Sequence, residues 1–384
     1  MRAVKITMQV VATLAFAQPL HAQVQYSIHD LGIYPGGGAS YGQAINASGQ
    51  VTGSAVDSVS QYYMRAFRLA ASGQIGDAGT SLGSLGGLST YGFGINTSGQ
   101  VTGQSQLPGN SFSPLHAFRT AADGSIIDLG TLGGVTSVGR GINDLGQVVG
   151  SSETGVNGQW HALRTTPGGM FDASADLGTF PGGLSSIANA INSTGQVTGG
   201  ADKFSVGLTS YLPYRTSPTG TVATAEDLGT FGGTAGIGWS INDSGQVAGE
   251  AYFPGNLVQH AFRSSPYGQP IVLEDLGTLG GTDSYARGIN SLGVVVGASQ
   301  AAGDAEVLAF VFDTQMRSLS DLVPSGWKIE YANGINDAGQ IIGYGQFQGG
   351  QTRAVLLTPV PEPSALLLAG LAGMGLVGRC RRRT

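Results

Sequence analysis

One phrase constrains this chain more than anything else in it. I-N-x-x-G-Q-V-x-G recurs, with small departures, seven times, at Ile45-Asn46, Ile95-Asn96, Ile142-Asn143, Ile191-Asn192, Ile241-Asn242, Ile289-Asn290 and Ile335-Asn336. Successive pairs are 50, 47, 49, 50, 48 and 46 residues apart. A period this long means one supersecondary unit copied and stacked, so the fold is an array. The copy number then decides whether the array can close into a ring.

Each repeat reads as four short extended pieces divided by glycine. The first ends at Ile-Asn, as in Tyr91-Gly92-Phe93-Gly94-Ile95-Asn96, and the second is Gln-Val-x-Gly, as in Gln147 to Gly150. The third is His-Ala-Phe-Arg at His116 to Arg119 and His260 to Arg263, and the fourth ends in Asp-Leu-Gly, as in Ile127 to Gly130. Runs of this length, rich in β-branched and aromatic residues, read as strands. No stretch of the body carries a helical period. Between the first two strands, segments such as Asn336-Asp337-Ala338-Gly339 predict a type I turn followed by a left-handed glycine. The Asn fixes the turn by bonding its own backbone. Some of these turns also spell an N-glycosylation acceptor, as at Asn46-Ala47-Ser48, but the turn accounts for them.

The first strand alternates. One and three residues before the Ile the side chain is small, as at Gly94 and Gly92 or Ala190 and Ala188; four before it is bulky, as at Tyr41, Tyr91 and Tyr285. Period two places the small residues on one face and the large ones on the other. That suits sheets stacked radially near a crowded axis. Four strands per unit and seven units predict an all-β fold, a seven-bladed β-propeller over residues 23–359. A parallel β-solenoid is the rival, but its coils are usually much shorter. The segment from Tyr26 to Gly32 is a fourth strand with no earlier partners, and the last repeat stops after three strands at Leu357. The N-terminal strand is therefore expected to complete the last blade and close the ring.

The ends are addresses rather than fold. Residues 1–22 have a basic start at Arg2 and Lys5, an apolar run and a small residue before Gln23, as in a secretory signal peptide. Residues 360–384 begin with Pro361-Glu362-Pro363, continue in an apolar run at 365–378, and finish with Arg379, Arg381, Arg382 and Arg383. As a helix the run spans roughly 21 Å, short of a ~30 Å hydrocarbon core, a gap that snorkelling arginines narrow. The arginines hold the C-terminus in the cytoplasm.

These three parts in order resemble the PEP-CTERM sorting signal. The resemblance implies cutting near Pro361–Pro363 by an exosortase-type enzyme in a Gram-negative bacterium. Transient anchoring in the inner membrane would precede delivery to the cell surface or the exopolysaccharide matrix. The body from Tyr26 to Pro359 resembles the extracellular HAF repeat through its His-Ala-Phe triplets. His116, His161 and His260 carry the family histidine, while the copies around Arg65, Tyr214, Ala309 and Arg353 depart from it. That resemblance implies secretion and brings no enzyme activity.

Composition narrows the function. Between 23 and 359 stand 12 Lys+Arg and 23 Asp+Glu, a net charge of −11, and only two of the basic residues are lysines. Such a body is poorly suited to nucleic acid. The single cysteine, Cys380, lies in the tail, so the body has no disulfide. The histidines sit at equivalent places in different blades, well off the axis, and no metal site or cofactor is expected. The double-glycine loops, as at Thr131 to Gly134, lack the ending of a phosphate loop and carry the chain between blades. The repeated Asp of Asp-Leu-Gly, at Asp30, Asp128, Asp176, Asp227 and Asp275, with a weaker copy at Asp321, is expected in a turn or an inter-blade bond. No pair of carboxylates nominates itself as acid and base.

What varies inside the uniform phrase is the residue two before the Ile: Gln43, Phe93, Arg140, Asn189, Trp239, Arg287 and Asn333. Two readings are open. These residues fill gaps between blades, or they line the central channel, where aromatic, amide and guanidinium groups suit a sugar. Function follows the same fork: a non-enzymatic surface protein binding exopolysaccharide or another surface component, a secreted glycosidase or lyase, or a purely structural matrix protein.

Overall fold

Short β-rich runs separated by turn-forming glycines make every repeat an antiparallel sheet whose inner edge is the strand ending at Ile-Asn. The computed structural model describes residues 24–57, 63–205 and 208–361. Residues 1–22 and the tail from Glu362 onward lie outside them. Blade 2 is representative: Thr90–Ile95, Val101–Gln106, Leu115–Thr120 and Ile126–Asp128 lie side by side in chain order. Blades 3, 4, 5 and 6 repeat this order.

Blade 1 departs from the four-strand expectation. Its sheet has three strands, Ser40–Ile45, Val51–Val56 and Met64–Leu69. A single bridge, Phe67 to Ser81, stands where the fourth would lie. In blade 6 the fourth strand is Met316–Ser318, and Asp321 falls in the 3-10 turn after it.

Blade 7 closes the ring. The strands Trp327–Ile335, Ile341–Phe347 and Thr352–Val360 are joined on the outer side by Gln25–Asp30 from the N-terminal end. Just beyond this strand, the Leu31 amide donates to Ala354 O at 2.9 Å. Seven hydrophobic clusters fill the seven spaces between neighbouring blades. The closing segment feeds two of them, with Tyr26 in the blade 6–7 cluster and Leu31 in the blade 7–1 cluster. In blades 1, 2, 5 and 6 the glycine of Gln-Val-x-Gly makes room for a third-strand phenylalanine. A Cβ on Gly103 would lie 1.8 Å from Tyr91 O and 2.9 Å from the Phe118 ring.

The Ile-Asn turns form as expected and do more than turn. In each, the Asn Oδ1 accepts the amide four residues on, as Gln196 N to Asn192 at 2.9 Å, and the glycine is left-handed, as at Gly339 with φ +76°. The Asn Nδ2 then reaches into the next blade and donates to the carbonyl of that blade's own Asn. Asn46 bonds Asn96, Asn96 bonds Asn143, Asn143 bonds Asn192, Asn192 bonds Asn242, Asn242 bonds Asn290 and Asn290 bonds Asn336, at 2.8–3.3 Å. Asn336 returns to Asn46 O at 3.1 Å, so the belt is continuous around the axis. In six turns the following Gln also accepts from Nδ2; the sixth copy has Val294 there, and its belt bond is the longest at 3.3 Å.

The histidines and the Asp-Leu-Gly aspartates pair within a blade. His116 Nδ1 donates to Asp128 at 3.0 Å, His161 to Asp176 at 3.0 Å and His260 to Asp275 at 2.8 Å. Each Asp also accepts a turn amide two residues on, as Gly130 N at 2.8 Å. In the loop between the second and third strands of blade 5, Phe253 stacks on Phe231 of a double-glycine crossing at 4.9 Å. Phe112 also lies in such a loop, whereas Trp160 and Tyr252 belong to the strands that flank one.

Candidate functional site

The alternation expected of the inner strand is broken in every blade at the same place. Pairing with the second strand skips one residue between Gly42 and Ala44, Gly92 and Gly94, Gly139 and Gly141, Ala188 and Ala190, Gly238 and Ser240, Ala286 and Gly288, and Ala332 and Gly334. A β-bulge adds one unpaired residue and reverses the parity of the strand beyond it. The small residues therefore do not share one face, which corrects the sequence reading. A Cβ on Gly92 would strike Thr52 Oγ1 of the preceding blade at 2.4 Å. One on Gly94 would meet Arg140 O of the following blade at 3.0 Å. Smallness is required on both faces because the blades converge.

The unpaired residue in each bulge is the variable one. Gln43, Phe93, Arg140, Asn189, Trp239, Arg287 and Asn333 come together around the axis and line two cavities of about 250 and 200 Å³. The larger is also lined by the residues that follow them, among them Ala44, Ile45, Gly94 and Ile95, so it opens toward the Asn belt.

The two readings left open by the sequence both describe part of this ring. Asn189 Nδ2 donates to Gly238 O at 2.9 Å and Asn333 Nδ2 to Gly42 O at 2.8 Å, each a tie to the next blade. The charged and aromatic members form a chain of ring-face contacts instead. The Arg287 guanidinium lies 4.1 Å from the Trp239 ring centre. Arg140 reaches past Asn189 to stand 6.0 Å from the same ring, and lies 5.7 Å from Phe93 on its other side. Contacts of this kind contribute roughly 0.5–2 kcal/mol each, more as they are desolvated. Two residues upstream on the inner strands stand tyrosines: Tyr331 stacks on Tyr344, and Tyr41 meets Tyr344 edge-on, both at 5.1 Å.

One contributor was not found by sequence reasoning. Glu250, on the second strand of blade 5, is buried behind the ring with Oε2 3.6 Å from Arg287 Nη1, too long for a hydrogen bond. Burial pushes its carboxyl up to about 6, against the opposing pull of the Arg287 charge and the nearby Trp239 indole, which does not reach bonding geometry. A signal existed: the equivalent positions are Ser54, Gln104, Ser151, Gly200, Ala298 and Tyr344, so Glu250 is the only carboxylate among them. Burial lowers the pKa of Arg140, and the charge of Arg287 adds to that effect.

Several buried polar atoms here make no hydrogen bond among the described residues: Arg140 Nε, Trp239 Nε1, Arg287 Nη1, Asn189 Oδ1 and Glu250 Oε2. An unsatisfied buried polar atom costs about 1–3 kcal/mol, and all of these but Glu250 Oε2 belong to residues that line the cavities. Neither cavity is lined by a carboxylate. Among the described residues no group of three or more His, Cys, Asp or Glu is placed to hold a metal ion.

At the C-terminal end, residues 359–383 match the PEP-CTERM protein-sorting motif. No curated protein matches the chain. The chain is thus a β-propeller protein carrying the sorting signal of exported, exosortase-processed cell-surface proteins. Of the residues that carry the signal in the sequence, Pro361 is described, whereas Glu362, Pro363, Arg379, Arg381, Arg382 and Arg383, with the apolar run at 365–378, lie outside the described residues.

Proposed function

We infer that this protein is a non-enzymatic binding module of the cell surface or extracellular matrix, whose axial ring takes a sugar unit of exopolysaccharide. Residues 1–22 serve as the export signal and residues 360–384 as the sorting segment, which leaves the propeller outside the cell after processing. The observation that carries the binding reading is the convergence of seven bulge residues on one axial cavity, with unpartnered N–H donors beside aromatic faces. Sugars are recognised by that combination of stacking surface and directed hydrogen bonds. The absence of a carboxylate from the lining weighs against acid–base cleavage at this place, which needs two of them about 5–10 Å apart.

A glycan array probed with the purified full chain, alongside Arg140→Ala and Trp239→Ala, tests this reading. Binding that both substitutions reduce at least tenfold supports the axial site. Binding indifferent to both moves the site elsewhere, and a blank array favours a purely structural matrix protein.

A further inference from the structure

Resting on the axial-site reading, we propose that the sugar taken by the ring is acidic, a uronate whose carboxylate sits between Arg140 and Arg287 and whose hydroxyl groups face Asn189. The first argument is charge. The body carries −11, yet two of its twelve basic side chains are spent on one buried cavity with no carboxylate in its lining. Placing two guanidiniums in the same low-dielectric space is unfavourable unless an anion joins them. Glu250 answers only part of that demand: it lines neither cavity, and among the described residues its one ion pair is to Arg287 at 3.6 Å, with the Trp239 indole nearby. Arg140 has aromatic neighbours and, among the described residues, no carboxylate within ion-pair distance.

The second argument is the sense of the unpartnered atoms. Arg140 Nε, Arg287 Nη1 and Trp239 Nε1 can only donate, so they call for an acceptor-rich group. A planar carboxylate meets guanidinium donors with short, charge-assisted bonds. Asn189 Oδ1 has its amide nitrogen already committed to Gly238 and can only accept, so it calls for a hydroxyl. A simple anion satisfies the donors alone, and a neutral sugar leaves the charges unanswered. A sugar acid meets both demands. Cavities of about 250 and 200 Å³ lie below the usual range for drug-sized ligands, which fits one sugar residue at the end of a chain rather than a strand threading the ring.

Titration calorimetry on the purified full chain with glucuronate, glucose and acetate separates the possibilities. Glucuronate is expected to bind at least tenfold more tightly than either of the others. Arg140→Gln and Arg287→Gln should each weaken it at least tenfold, and Trp239→Phe, which keeps a ring and loses the N–H, by a smaller factor. Should a Gln variant fail to fold, Arg140→Lys, which keeps the charge, is expected to retain the preference for glucuronate over glucose. Glucose binding as tightly as glucuronate, untouched by the arginine changes, overturns the acidic ligand and leaves the sugar-binding reading standing. Acetate binding as tightly as glucuronate overturns the sugar instead. Absence of binding by all three, together with a blank glycan array, removes both.

Discussion

At the scale of single residues, Glu250 makes the sharpest claim. Its folded-state carboxyl titrates near 6, above the ordinary value of 4.5, because burial penalises the charged form more than Arg287 favours it. The folded state then holds this proton more tightly than the unfolded chain does. The stability it contributes is fully present below pH 4.5 and is lost as pH rises through about 6, a difference on the order of 2 kcal/mol. Glu250→Gln removes that dependence. Urea unfolding of both proteins at pH 5 and pH 7 should show the variant gaining on the wild type by about 1 kcal/mol between the two conditions, since the unfolded wild type is already mostly ionised at pH 5. Taking the difference cancels the three His–Asp pairs, which both proteins share. Equal pH responses would mean that Arg287 already neutralises the carboxylate. The ring residues were legible in the sequence because each varies inside a phrase that does not. Glu250 was not, since its importance comes from an Arg on a different blade, 37 positions further along the chain.

At the scale of the element, the Ile-Asn hairpin combines two roles that a single sequence cannot separate. The turn was legible from Asn and Gly at fixed spacing, because positive φ and local side-chain bonding are properties of neighbouring residues. The belt was not, because its acceptor lies a whole repeat away. Nor was the bulge, because a small residue on either side of the variable one looks the same whether or not parity is reversed between them. Asn290→Asp distinguishes turn from belt, because Val294 takes no bond from its Nδ2. It keeps the Oδ1 acceptor used by Val294 N and loses the Nδ2 donor used by Asn336 O at 3.3 Å. A residue needed for the turn alone tolerates Asp. We expect Asp to destabilise nearly as much as Ala, by about 2–4 kcal/mol, since either change leaves a buried carbonyl without its donor. Paired chemical denaturation curves read this directly, and an Asp variant within about 0.5 kcal/mol of wild type would reduce the belt to an ornament of the turn.

At the scale of the whole molecule, a strand from the beginning of the body completes the last blade and feeds two of the seven inter-blade cores. Closure was legible because incomplete repeats at the two ends of the body add up to one unit; the missing outer strand of blade 1 was not, since Ser81 and its neighbours keep the glycine spacing of the other copies while pairing at one bridge. Ser27 bonds Thr358 O at 3.2 Å, so the two ends of the propeller lie side by side. Deleting residues 24–31 strips Tyr26 and Leu31, both buried, from two separate cores and bares the long edge strand Thr352–Val360. Two such side chains account for about 3–6 kcal/mol of burial, a large fraction of the 5–15 kcal/mol that typically holds a domain together. The exposed edge is a template for pairing with another chain. The truncated protein should therefore unfold at much lower denaturant and elute from size exclusion as oligomers. A synthetic peptide spanning Gln25 to Gly32 should restore the elution volume of the parent, since it supplies the missing strand without the covalent link. If the truncated chain keeps the elution volume and the stability of the parent, the clasp is not what holds the ring, and the belt and inter-blade packing suffice without it.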